Sequence, residues 1–203
     1  MDLLDYILEA YDIFKDKILE SFVAGIFIIL VSILLIIPVL GWFFYSKLLL
    51  KIIVWYYDKL NIKVDMKYDI AFKSIFIQIS IIMTGATIMF ISIFYNFLIS
   101  NIEFMLYLII FSLILIILGS IIQILLLYTL YGSILGKVNK FKIYWKESLH
   151  LFFAGFIVGI VYYLLYFIIN TIPYVGSIIA FVFSIFYAAY IHVLYATVTK
   201  NIL

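Results

Sequence analysis

Apolar residues in this chain come in long unbroken runs rather than in alternation. Residues 21–46, 74–102, 104–136 and 148–199 contain no Asp, Glu, Lys or Arg. A bilayer's hydrocarbon, about 30 Å thick, is crossed by about 20 helical residues. The run 148–199 therefore holds two helices, with Pro173, Tyr174, Val175 and Gly176 as the turn between them. The run 74–102 holds one span, near 70–95, and the run 104–136 another, near 103–130. The run 21–46 is long for one span and short for two.

Two short matches bear on that ambiguity. Ala24-Gly25 is followed by Ile37-Pro38-Val39-Leu40-Gly41, and Ala154-Gly155 by Ile172-Pro173-Tyr174-Val175-Gly176. Each reads Ala-Gly, an apolar helix, then I-P-x-x-G. Tyr11-Asp12-Ile13-Phe14-Lys15 is echoed by Tyr68-Asp69-Ile70-Ala71-Phe72-Lys73. By analogy with the last hairpin, residues 42–60 form a second span. The expected fold is all-α, a single membrane domain over 1–203. It is a six-helix transmembrane bundle of three hairpins, near 21–60, 70–136 and 147–199. Ahead of it, residues 1–20 form an amphipathic interfacial helix. There Asp2, Asp5, Glu9, Asp12 and Asp16 share one face, and Leu4, Ile7, Leu8, Tyr11, Phe14 and Ile18 the other. This helix either lies in the membrane plane with its acids in water or offers them to a basic partner.

Composition agrees with a lipid solvent. Hydrophobic residues make up 68% and charged residues 12% of the chain, against about half and a quarter in soluble domains. All thirteen basic residues are lysines. They lie near the N-terminus, between Lys47 and Lys73, between Lys137 and Lys146, and at Lys200. The outer turns, near 38–41, 95–103 and 170–176, hold no lysine and one acid, Glu103. The positive-inside rule then places both termini in the cytoplasm. A five-span alternative lays 47–60 flat on the surface and puts six lysines, Lys47 to Lys73, outside. The net charge of +2 is spread by topology, which leaves no nucleic-acid signal. With no cysteine, thiolate sites and disulfides are excluded. Residues 1–20 carry six acids and two lysines, so no cleavable signal is expected.

Candidate chemistry is sparse. Gly176, Ala180, Ser184, Ala188, His192 and Ala196 step by four along the last helix. Gly155 and Gly159 make a G-x-x-x-G on the helix before it, and Gly132 and Gly136 another on the fourth. Small residues at this spacing let helices pack closely in lipid, within one molecule or across a dimer. Ile178 and Ile185 are expected to face lipid. Lys47 and Lys51 share a face of the second helix. If that helix starts at Gly41, Lys51 lies about 15 Å down it. A lysine at the bilayer centre costs roughly 2.5–3.5 kcal/mol. Either the two lysines snorkel within the bundle or they hold an anion, a solute or a lipid headgroup. Glu147, His150 and His192 form a weak candidate metal or proton-relay set at the inner interface. Gln78, Thr84, Thr87, Asn96, Ser112, Ser120, Gln123 and Asn170 supply scattered polar groups, and Gln78 and Gln123 suit interhelical hydrogen bonds. No cofactor is implied.

An acidic helix bearing Tyr6, Tyr11, Asp12 and Phe14, the Pro38–Gly41 turn, and Lys47 and Lys51 on the inward helix resemble a known pattern. It is that of mainly archaeal polytopic membrane proteins gathered as a domain of unknown function. The chain is also similar to the membrane domain fused to some bacterial glycerophosphodiester phosphodiesterases. The resemblance covers 1–75 best and 145–199 less well, and it implies a fold without catalytic residues. The leading expectation is a non-enzymatic, multi-pass component of the cell membrane that packs with itself, with lipid or with a membrane protein partner. The alternative is a small permease or channel for an anionic or amphipathic solute, with Lys47 and Lys51 lining the path.

Overall fold

The computed structural model describes residues 2–99, 102–173 and 175–202, with backbone alone for 95–99. Tyr174 and the centre of the turn expected near 95–103 lie outside the described residues, as does the side chain of Asn96. Among the described residues there are seven α-helices and no strands. They are α1 (Leu3–Asp16), α2 (Ile18–Ser32), α3 (Leu40–Lys59), α4 (Tyr68–Ile99), α5 (Ile102–Ile134), α6 (Trp145–Asn170) and α7 (Gly176–Asn201). A 3-10 turn, Ile33–Ile36, extends α2. Five helices are long and apolar enough to cross a membrane: Ile18–Ile36, Tyr68–Phe94, Ile102–Ile134, Trp145–Asn170 and Gly176–Asn201. The chain is thus an all-α membrane protein. α3 is absent from that set, since its lysines and its Trp-Tyr-Tyr end make it too polar.

α3 nevertheless runs antiparallel to α2 along its whole length. At one end the Trp42 indole donates to the Leu35 carbonyl at 3.1 Å. At the other the Ser21 and Tyr56 hydroxyls meet at 2.6 Å, both buried. The connection and the α6–α7 connection share a hydrogen-bond pattern in register. Leu34 accepts from Ile37, Pro38 from Leu40, and Ile37 from Gly41. Correspondingly, Ile169 accepts from Ile172, Pro173 from Val175, and Ile172 from Gly176. In both turns the glycine sits against the carbonyl seven residues back. A Cβ would lie 1.9 Å from the Leu34 oxygen at Gly41, and 2.4 Å from the Ile169 oxygen at Gly176. No side chain fits there, which is why each turn ends in glycine.

α4 and α5 exceed the spans expected for them. With 32 and 33 residues they reach about 48–50 Å at 1.5 Å per residue. They pack tightly through glycine notches. Gly85 lies against Ile116 and the Ser112 carbonyl, and Gly119 against Ile82. A pair this much longer than the hydrocarbon must tilt or protrude.

Two packing expectations need correction. Ile185 does not face lipid. It is 4% exposed, and a Cβ at Gly25 would come within 2.1 Å of its carbonyl oxygen. The backbones of α2 and α7 therefore approach closely at this point. Gly132 and Gly136 are not a helix-packing pair either. Gly136 lies past the end of α5 with φ +74, a C-terminal turn position that favours glycine, and it abuts Asp65. On α6, aromatic rings of α7 fill the notches: Tyr195 meets Gly155, and the Tyr187 hydroxyl lies near Gly159.

The largest buried side chains, among them Tyr56, Tyr57, Ile134, Leu151 and Leu194, lie toward the lysine-bearing ends of the helices. α1 crosses α7 there. Ala10 and Phe14 are buried, the Phe14 ring meets Tyr190 edge-on at 5.4 Å, and Glu9 accepts from Asn201 at 3.0 Å. Leu4, Leu8 and Tyr11 remain exposed.

Candidate functional site

Ser148 ties α5 to α6 at one end. This residue, three residues into α6, donates to the Leu125 carbonyl at 2.9 Å and accepts from the Tyr128 amide at 3.1 Å. Beyond this clasp a cleft of about 670 Å³ opens between α3, α4, α5, α6 and α7. That volume is within the range of small-molecule sites, roughly 300–1,000 Å³. The mouth lies between exposed Ser120 and Gln123 of α5 and exposed Phe156 and Tyr163 of α6.

The cleft's polar groups come from four helices. Gln78 of α4 is 5% exposed, and its amide nitrogen has no hydrogen-bond partner. Tyr131 of α5 bonds the His192 Nδ1 of α7 at 2.7 Å. Tyr57 of α3, just behind, donates to the His192 carbonyl at 2.7 Å, which fixes that segment of α7. Gln78 lies five residues beyond Lys73, His192 eight before Lys200, and Gln123 eleven before the last residue of α5. At 1.5 Å per residue these are about 8, 12 and 16 Å into the bundle. The walls are aromatic and aliphatic, with Tyr45, Phe152, Tyr187 and Tyr195 among them. No Lys, Asp or Glu lines the cleft. A charge would enter without compensation, and burying one in low dielectric is costly. The arrangement suits an uncharged head with hydrogen-bond acceptors on an apolar body.

No protein family, curated protein or solved structure matches the chain. Function must therefore be argued from these residues.

Lys47 and Lys51 do not enter the cleft. The Lys47 ammonium lies 4.3 Å from the centroid of the Phe43 ring. Lys51 is exposed and lines a separate groove with Trp55, Asp58 and Lys63 at the end of α3. Glu147, His150 and His192 are not brought together, and no group of three His, Asp or Glu among the described residues could hold a metal. His150 is exposed and bonds the Lys146 carbonyl at 2.9 Å. Of the packing residues, Gly176 and Ala180 are buried, Ala188 is half-buried, and the Ser184 hydroxyl meets that of Tyr162 at 2.7 Å. Sequence reasoning missed the convergence of Gln78, Gln123 and His192. The signal available was that they are polar residues inside otherwise apolar runs.

Proposed function

We propose that this chain is a non-enzymatic, six-span protein of the cell membrane with both termini cytoplasmic. Its cleft takes a neutral amphipathic molecule from the bilayer. The observation that carries this reading is the unpartnered Gln78 amide nitrogen, buried in a cleft with no ionisable carboxylate or ammonium on its walls; on this reading its mouth, between exposed residues of α5 and α6, faces lipid. Amides, phenols and an imidazole set among apolar walls suit hydrogen-bonded holding. The six-span count is supported by the pairing of α3 with α2 at both ends. A repeated hairpin unit is supported by the two turns with matching hydrogen bonds. The orientation rests on the lysines, which gather at one end of the bundle. A second copy or a membrane protein partner would pack on the apolar outer faces.

The test is the cargo of the purified protein. Wild type extracted from membranes in mild detergent should retain a neutral amphiphile, identified by mass spectrometry. A Gln78→Leu, His192→Leu variant of equal thermal stability should lose it. If Gln123→Cys reacts with a hydrophilic, impermeant thiol reagent from the aqueous phase, the cleft is a water path. That outcome would favour the permease class instead.

A further inference from the structure

A second cavity lies at the lysine-bearing end of the bundle, away from the cleft. It has a volume of about 620 Å³ and is built by four chain segments. Ile13 comes from α1, Lys63 and Asp65 from the α3–α4 loop, Lys137 from just past α5, and Thr197 and Lys200 from α7. Three cations thus meet around one hollow. None of the three is in an ion pair; the ion pairs among the described residues are Lys17–Glu20 and Lys67–Asp65. Asp65, the one acid on the wall, is held by Lys67 at 3.5 Å. The nearby Glu9 carboxylate accepts from Asn201.

The lysines are also positioned. The Lys137 ammonium donates to the Lys200 carbonyl at 2.6 Å, which ties the end of α7 to the segment after α5. Burial and, secondarily, the Lys200 charge hold the Lys137 ammonium below the usual lysine range. Thr197 is 3% exposed, and its hydroxyl lacks a partner. An unmatched buried hydroxyl beside uncompensated ammonium groups is an arrangement that an anion completes.

We propose that Lys63, Lys137, Lys200 and the Thr197 hydroxyl form a phosphate-binding site. Several donors from different directions match the oxygens of a tetrahedral phosphate better than the two oxygens of a planar carboxylate. Lysine is a usual point-charge partner for phosphate. Ile13 and Leu135 add an apolar edge to the wall, so a phospholipid headgroup and a free phosphate share the required chemistry.

The experiment uses the full chain in phosphatidylcholine nanodiscs, with and without phosphatidic acid, and with inorganic phosphate as the soluble probe. Bound species are counted by native mass spectrometry, and affinity is followed by thermal shift. Lys137→Gln and Lys200→Gln should each weaken binding about tenfold, the effect of losing one charge-assisted hydrogen bond. Thr197→Val, which keeps shape and charge, should weaken it several-fold, while Lys140→Gln and Lys146→Gln, outside the cavity, should not. Retention of phosphatidic acid that inorganic phosphate does not displace identifies a lipid site. Binding of inorganic phosphate in pure phosphatidylcholine identifies a soluble ligand. Equal losses for Lys140→Gln and Lys137→Gln would reduce the effect to surface charge and overturn the proposal. So would binding of neither probe to a folded wild type.

Discussion

Gly25 of α2 and Ile185 of α7 bring two helix backbones into direct contact, with room for no more than a hydrogen at residue 25. Ala24 beside it is fully buried. At the α6–α7 pair, by contrast, the glycine notches of α6 meet tyrosine side chains of α7. A methyl group at 25 would overlap the Ile185 carbonyl, so one backbone must move. Gly25→Ala should lower stability by about 1–3 kcal/mol, the usual cost of overpacking, and Gly25→Leu by more. Ile178→Ala, at a position 65% exposed, should change little. Thermal unfolding in detergent reads the difference, and equal midpoints would contradict the crossing.

The Ser21–Tyr56 bond offers a second test. Both residues are fully buried, and the hydroxyls meet at 2.6 Å. Tyr56→Phe leaves the serine hydroxyl without its partner, at a cost of about 1–3 kcal/mol. Adding Ser21→Ala removes the orphan and should recover most of that loss. The coupling energy from the double-mutant cycle checks it, and additive losses would mean that the bond does not tie α2 to α3.

The elements of this fold were legible because lipid removes most alternatives. A run of apolar residues must be a helix that satisfies its own backbone, and Pro and Gly then mark the turns. The I-P-x-x-G segments were informative for a concrete reason: their glycines abut a carbonyl seven residues earlier. Depth and facing were harder to read. Lys47 and Lys51 were the visible oddities, yet Tyr45 and Leu49 line the cleft. A two-residue step turns a helix by about 200°, so the lysines point elsewhere. The cleft is lined by five helices, and no local period in any one of them encodes where five helices leave a gap. Ile185 was misread because stepping by four marked one face of α7, while α2 packs on another.

Gln78 links the cleft to stability. Its buried amide nitrogen has no partner within the protein, and such a group costs about 1–3 kcal/mol. Gln78→Met keeps the length and removes the polar atoms. The variant without ligand should therefore be more stable than wild type by up to that amount. Addition of the ligand should then stabilise wild type and leave the variant unchanged. A less stable variant in lipid-stripped samples would mean that the amide is already satisfied.

Topology supplies the last test, because it decides how α3 lies in the membrane. Lys47 and Lys51 make α3 a poor span by composition. Its insertion would rest on α2, which grips it at Trp42 and at Tyr56, and on the placement of the two charges. Lys47 lies over the Phe43 ring, a contact worth about 0.5–2 kcal/mol. Lys51 is eight residues from Lys59, about 12 Å of helix, and it lines a groove that holds Asp58. A flexible ammonium can reach such a groove and avoid open hydrocarbon. On the six-span reading proposed above, α3 crosses, and positions 40 and 65 lie on opposite sides. The chain has no cysteine, so single probes report cleanly. Leu40→Cys should react with an impermeant thiol reagent in intact cells, and Asp65→Cys and Lys140→Cys only after lysis. Labelling of residue 65 in intact cells would place α3 flat on the surface. Replacing Lys51 with Leu removes an insertion penalty of roughly 2.5–3.5 kcal/mol or less, so it should leave this pattern unchanged. If Lys51→Leu instead moved residue 65 from outside to inside, the lysine itself would be what keeps α3 from spanning in wild type.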